Sequence, residues 1–183
     1  MEAVSVVAAS AVAEDSRAGA ACRGAAAPRD HGDAMTWWRR PVRQLLSDQE
    51  ESQVIAAIRA AEAQTSGEIR VHVERRCGKS AMANAGRWFR RLGMEAAAEG
   101  NGILFYVAVD DREFAIVGGA GIHAKVGDAF WEALRDALRD DFIKGDPAAG
   151  LTRAIGEAGA RLAEHFPRRS GDANELTDEI SYR

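Results

Sequence analysis

The chain has 183 residues, of which 46% are hydrophobic and 28% are charged, and its formal net charge is -4. This length and composition predict one domain with a real hydrophobic core and exclude a wholly disordered chain. The excess of acidic residues argues against a nucleic-acid-binding protein, and no apolar run is long enough to span a bilayer. Two cysteines, Cys22 and Cys77, are too few for a disulfide framework.

Residues 1–34 differ in composition from the rest of the chain. They are rich in alanine and contain no Leu, Ile, Phe, Trp or Tyr. Because such a segment buries too little apolar surface to offset the entropy lost on ordering, we expect a disordered extension and take Met35 as a candidate natural start. Residues 35–44 form a Trp- and Arg-rich lead-in, in which Trp37 and Trp38 either fold back onto the domain or anchor the chain at a membrane surface.

Hydrophobic periodicity predicts seven regular elements over residues 45–167. The first helix begins at a capping box, in which Ser47 and Glu50 satisfy first-turn amides. The predicted elements are a helix from Ser47 to about Thr65, a half-buried strand over 68–74, a helix over 80–92, a buried strand over 103–109, a returning strand over 114–117, and helices over 126–142 and 151–166. Residues 168–183 are predicted to be a polar tail.

The order of these elements predicts the fold class. A helix between the first two strands implies a right-handed parallel crossover, and the short turn after the second strand implies an antiparallel hairpin. We therefore expect an α/β fold with a short mixed sheet, made of a parallel pair plus an antiparallel hairpin strand, and with helices on both faces of the sheet.

Three segments, in this order, resemble the TPM domain family. They are Thr65-Ser66-Gly67-Glu68-Ile69-Arg70-Val71, then Asn101-Gly102-Ile103-Leu104 with Asp111-Arg112 after the strand, and then Gly118 through Ile122. The tail Asn174-Glu175-Leu176-Thr177-Asp178-Glu179-Ile180-Ser181 is similar to that of a soluble bacterial branch of the family. The resemblance covers roughly residues 45–181 and implies an α/β sandwich around a short mixed sheet.

The resemblance also implies candidate cofactors, activities and partners. Some members bind calcium or another divalent cation, and a plant branch shows acid phosphatase activity. Genes of bacterial members often neighbour those of a LemA-type protein and of a membrane-anchored TPM protein. For this chain, the resemblance implies Ca²⁺ or another divalent cation as the cofactor, and a LemA-like or membrane-anchored TPM protein as the partner.

Glu74, Asp110 and Asp111 are the candidate metal ligands. They lie at or just after the carboxyl ends of the two parallel strands, so we expect them at one end of the sheet. Carboxylate oxygens are ligands for hard cations such as Ca²⁺ and Mg²⁺. The alternative is ordinary turn chemistry, in which each aspartate caps its own backbone and Arg112 neutralises the charge.

A second set of candidate residues is expected at the opposite end of the sheet. Glu68 and Asn101 lie at or just before the start of the parallel strands, and Gly118, Gly119 and Gly121 follow the returning strand. Successive amides at a helix start form an anion-binding site in many proteins, whereas glycines also permit close packing that no other residue allows. Because the two sets lie at opposite ends, we expect no single ligand to contact both.

No nucleophile with an identifiable base appears in the sequence. Cys77 lies among Arg75, Arg76 and Lys79, and these cations either lower the pKa of the thiol or surround an unreactive loop cysteine. The histidines have no metal-ligand spacing, and His72 is expected on a face of the sheet.

The sequence therefore favours a cytoplasmic, non-catalytic binding or accessory module, peripheral to the membrane and acting on a membrane-associated partner. The first alternative is a divalent-metal-dependent acid phosphatase. The second alternative is a calcium-binding module without catalysis.

Overall fold

The computed structural model describes residues 41–78, 80–97, 99–169 and 176–183, together with the backbone of residues 5–10. The regular elements are β1 Ser5–Ser10, α1 Asp48–Glu62, β2 Ile69–Glu74, α2 Ala81–Arg91, β3 Ile103–Ala108, β4 Glu113–Gly118, α3 Ala120–Lys144, α4 Pro147–His165 and β5 Ser181–Tyr182, with 3-10 turns at Val42–Gln44 and Met94–Ala96.

The strands form one mixed sheet in the order β1-β4-β3-β2-β5. Strands β2 and β3 are parallel, with Ile69 opposite Ile103, and β4 returns antiparallel beside β3, with Gly118 also opposite Ile103. The predicted α/β class, with its parallel pair and antiparallel hairpin strand, is confirmed.

Helices cover both faces of the sheet. On one face, side chains of α1, α3 and α4 pack against Ile69, Val71 and Val73 of β2. On the other face, α2 packs against alternate residues of β3 and β4, and its Phe89 is 2% exposed. All six residues of β3 are buried, as expected for a central strand covered on both sides.

Helix α1 begins at the capping box that the sequence predicts. The Glu50 backbone amide donates to Ser47 Oγ at 3.3 Å, and the Ser47 amide donates to Glu50 Oε2 at 2.7 Å. These two bonds satisfy amides that otherwise lack an intrahelical acceptor.

Two helices begin earlier than predicted. Helix α3 begins at Ala120 rather than at residue 126, and Gly127, with φ 69°, breaks it into two helical pieces. Glycine tolerates this backbone conformation. The hydrophobic periodicity used for the prediction begins after the break, so it predicted only the second helical piece. Helix α4 begins at Pro147 rather than at residue 151, because Asp146 Oδ1 accepts a hydrogen bond from the Ala149 amide at 3.0 Å.

Strand β2 was predicted to be half-buried, and this prediction was wrong. Arg70, His72 and Glu74 are 6%, 0% and 5% exposed. Helix α2 covers His72 and Glu74, whereas Arg70 lies near Glu62 and Asp178. The His72 ring stacks on Trp88 of α2 with the centroids 3.9 Å apart, and its Nδ1 lies 3.1 Å from Ser181 Oγ.

Segments near both ends of the chain add to the sheet, in contrast to the predicted extension and tail. The backbone of Ser5–Ser10 pairs antiparallel with β4, whereas the rest of residues 1–34 lies outside the described residues, as do residues 35–40. Strand β5 pairs parallel with β2, and Ile180 before it is 6% exposed. Composition indicated that residues 1–34 bury too little apolar surface to order on their own, and residues 168–183 were predicted to be a polar tail. In the fold, β1 and β5 are the two edge strands of the sheet.

Burial of His72 predicts a loss of stability on acidification. Burial, assisted by Arg183, Arg70 and Arg91, lowers the pKa of His72 from 6.5 to about 4. Between these two values the unfolded state binds more protons than the folded state, so the free energy of unfolding falls as pH falls. We expect this residue to contribute a loss of about 2 kcal/mol from about pH 7 to about pH 5.

Urea denaturation at the two pH values measures this contribution by comparing the wild type with His72→Gln. Between the two pH values, the free energy of unfolding of the variant should fall by about 2 kcal/mol less than that of the wild type. His165→Gln is the matched control, because His165 is partly exposed in the last turn of α4. Equal acid sensitivity of the wild type and His72→Gln would contradict the assignment of a buried neutral imidazole.

Candidate functional site

The strand register separates the candidate residues into two sets. Glu68 and Asn101 precede the paired residues Ile69 and Ile103. Residues 119–122, which we call the glycine segment, follow Gly118, which also pairs with Ile103. Asp110 and Asp111 follow β3 at its other end. Six strand residues rise by about 20 Å, so the two sets lie at opposite ends of the sheet.

The three candidate metal ligands have three different sets of partners. The Asp110 carboxylate accepts hydrogen bonds from Arg75 Nε at 2.9 Å and from Arg76 Nε at 3.2 Å. The Asp111 carboxylate accepts from the Cys77 amide at 2.7 Å. The buried Glu74 carboxylate accepts from the Tyr106 hydroxyl and from Asn84 Nδ2.

These contacts do not fit a shared divalent cation. Calcium takes six to eight oxygen ligands, and within the described part of the chain no group of three or more His, Cys, Asp or Glu side chains is arranged to hold a metal. Glu74, Asp110 and Asp111 are neighbours in the fold, but their carboxylates are committed to hydrogen bonds with protein groups.

The surroundings of Cys77 are acidic rather than basic. Its sulfur lies 3.2 Å from Asp111 Oδ2 and 3.3 Å from Glu113 Oε2, and the residue is 4% exposed. Burial, followed by these two carboxylates, raises the pKa of the thiol to about 12. The hypothesis that neighbouring cations lower the pKa of Cys77 is wrong: Arg75 and Arg76 bind Asp110 instead, and Lys79 lies outside the described residues.

The amides of the glycine segment are used by backbone carbonyls. The amides of Gly121 and Ile122 donate to the Gly100 carbonyl at 2.9 and 3.2 Å, and the Gly119 amide donates to the Gly102 carbonyl at 2.9 Å. A protein carbonyl therefore occupies the position that an anion would take at these amides.

The glycines allow two backbone segments to approach closely. A Cβ at Gly121 would lie 1.9 Å from the Glu99 carbonyl oxygen, and one at Gly119 would lie 2.3 Å from the Gly100 carbonyl oxygen. A Cβ at Gly118 would lie 2.5 Å from the Trp131 ring. Close packing thus accounts for all three glycines.

Glu68 and Asn101 are both buried beside the glycine segment. They are 6% and 2% exposed, and the Glu68 carbonyl accepts from the Ile103 amide at 2.8 Å. Asn101 Nδ2 donates to Ser66 Oγ at 3.3 Å, whereas Asn101 Oδ1 has no hydrogen-bond partner among the described residues.

A buried carboxylate that the sequence did not single out lies at the same end of the sheet. Glu62 Oε1 accepts a hydrogen bond from the Ile69 amide at 2.7 Å. Burial, with additional repulsion from Glu68 and Asp178, raises the pKa of Glu62 to about 8. In the sequence, Glu62 resembles an ordinary polar residue at the end of a helix, and only the folded chain brings it against β2 and the tail.

The TPM domain model matches residues 42–161, which is more than half of the chain. The chain belongs to the TPM domain family. The BA42 protein of the psychrophilic bacterium Bizionia argentinensis, solved by NMR, is similar to this chain with a TM-score of 0.72 and 39% sequence identity. The match covers 78% of this chain and 99% of BA42. A comparison with curated proteins found no match.

Within the described residues of this TPM domain protein, no helix is both long enough and apolar enough to cross a bilayer.

The close contact at Gly121 predicts a large effect of a single methyl group. Gly121→Ala forces the Glu99 carbonyl away, so we expect a loss of more than about 2 kcal/mol in the free energy of unfolding. Gly156→Ala is the matched control, because a Cβ at Gly156 of α4 meets nothing within 4 Å. The control should gain about 0.5–1 kcal/mol from its helical position. Chemical denaturation measures both, and a neutral Gly121→Ala would contradict the packing.

Proposed function

We propose that this TPM domain is a non-catalytic binding module that serves a membrane-associated protein partner. The observation that carries the proposal is the separation of the candidate residues. Glu68 and Asn101 lie at one end of β2 and β3, and Asp110 and Asp111 lie at the other. A reaction that needs groups from both sets would require them within about 3–3.5 Å of one substrate.

The contacts within each set support the same proposal. Asp110 binds two arginines, Asp111 binds the Cys77 amide, and Glu74 binds a tyrosine and an asparagine. A general acid or base must reach a substrate proton, directly or through one water molecule. Glu74, only 5% exposed, is enclosed by protein on the α2 side of the sheet.

The proposed partner is a LemA-like protein or a membrane-anchored TPM protein. Membership of the TPM domain family supports this part of the proposal, since these are the partners that the family resemblance implies. In this proposal the chain acts at the membrane through a protein that is itself embedded there.

Capture from native membranes tests the partner. The tagged full-length chain, cross-linked in its own cells, should recover a LemA-like or membrane-anchored TPM protein above the level recovered by an unrelated tagged protein of similar charge. The Gly121→Ala variant serves as a poorly folded control and should recover less. Recovery of no membrane protein would refute the partner assignment.

A phosphatase assay tests the absence of catalysis. With p-nitrophenyl phosphate and millimolar Ca²⁺, Mg²⁺ or Mn²⁺, we expect no rate above the buffer blank. Any residual rate of hydrolysis should be the same for the wild type, Asp111→Asn and Glu68→Gln. Such equal rates would indicate a contaminating phosphatase. Turnover that a chelator abolishes and that Asp111→Asn removes would establish the phosphatase alternative instead.

A further inference from the structure

A groove of about 630 Å³ lies at the end of the sheet where β2 finishes. We call it the arginine groove and define it by Arg43, Arg75, Asp110, Tyr182 and Arg183, which line it together with Pro41 and Val42. Its volume is within the range of ligand-binding pockets. The groove joins segments that are far apart in the sequence, namely the 3-10 turn before α1, the loop after β2, the loop after β3, and β5.

The charge of the groove is opposite to that of the whole chain. Three arginines face one carboxylate in it, whereas the chain has a net charge of -4. Asp110 is bound by the Nε atoms of Arg75 and Arg76, whose side chains are 73% and 69% exposed. Each guanidinium carries five N–H donors, so one carboxylate uses a minority of the donors present.

Two of these arginines lie near aromatic rings. The Arg43 guanidinium carbon lies 5.9 Å from the centre of the Tyr182 ring, and that of Arg183 lies 5.8 Å from the centre of the Trp88 ring. Arg91 lies 4.9 Å from the same Trp88 ring and adds positive charge nearby. A guanidinium group at this distance from a ring face gains a weak cation–π attraction, which favours positions close to the groove.

The bound carboxylate of Asp110 indicates the class of ligand. Arg75, which lines the groove, and the neighbouring Arg76 both donate hydrogen bonds to this carboxylate, and a planar guanidinium group matches carboxylate geometry. Tyr182 belongs to β5, the last strand on this side of the sheet, so the groove opens at the sheet edge, where an extended chain has access.

We propose that the arginine groove binds an acidic peptide segment, rich in Asp and Glu, of the protein partner. This inference rests on the proposed function and deepens it, since it assigns the chemistry by which the partner is recognised. Because both sides are charged and exposed, binding should weaken as salt is raised.

Fluorescence anisotropy with a labelled peptide of alternating Asp and Glu tests the proposal. The full-length protein should bind this peptide and not its Asn/Gln counterpart. Arg43→Glu/Arg183→Glu should weaken binding at least about tenfold, as expected for the loss of charge-assisted hydrogen bonds. Lys125→Glu/Arg161→Glu is the control with the same change of charge. Lys125 is exposed after β4, at the opposite end of the sheet, and Arg161 is exposed on α4.

Circular dichroism and the thermal midpoint establish that both double variants are folded. Equal peptide binding by the wild type and the groove variant, or a Kd above about 1 mM for the wild type, would overturn the proposal. The proposal would also be overturned if the wild type bound no peptide but sedimented with phosphatidylglycerol vesicles, and if the groove variant did not sediment with them. That result would indicate that the groove binds a lipid surface.

The capture experiment separates this inference from the proposed function. If the groove variant recovers the same membrane protein as the wild type, the groove assignment is wrong while the binding module stands. If the wild type recovers no membrane protein yet binds the acidic peptide through the groove, the partner assignment is wrong while the peptide site stands.

Discussion

The register between β2, β3 and β4 is the constraint on which the rest of the molecule depends. Ile69 and Gly118 both lie opposite Ile103. This pairing places the residues just before β2 and β3, and those just after β4, at one end of the sheet. A one-residue slip of β2 would turn its buried polar residues toward the apolar core that Ile69, Val71 and Val73 now fill, so the register is strongly fixed. The positions of the candidate residues follow from it.

Different interactions form the two ends of the sheet. At one end, the backbone carbonyls of Glu99 and Gly100 approach the glycine segment so closely that only glycine fits at Gly119 and Gly121. At the other end, arginines and carboxylates form a charged surface around Asp110. At the first end, two backbone segments pack closely against each other, whereas at the second end guanidinium groups are accessible. This difference is why we assign partner recognition to the second end.

Sequence patterns among neighbouring residues predicted much of the fold. The features that they did not predict depend on contacts between segments that are distant in the sequence. The Ser47 capping box and the apolar run of β3 depend on neighbouring residues, so the sequence predicted both. The burial of His72 was missed because Trp88, on another element, covers it. The separation of the two candidate sets followed from strand direction alone. The arginine groove was missed because Arg43, Arg75 and Arg183 come from three separate segments.

The separation of the two ends can be measured directly by pulsed electron resonance. Spin labels at Glu99→Cys and Arg75→Cys, both exposed positions, report on the two ends in a background with Cys22→Ser and Cys77→Ser. Because β2 and β3 rise about 3.3 Å per residue, the distance distribution should centre at about 20 Å or more. A distribution centred below about 12 Å would contradict the account. The loop that holds Asp110 and Asp111 and the glycine segment would then lie close enough together to form one site.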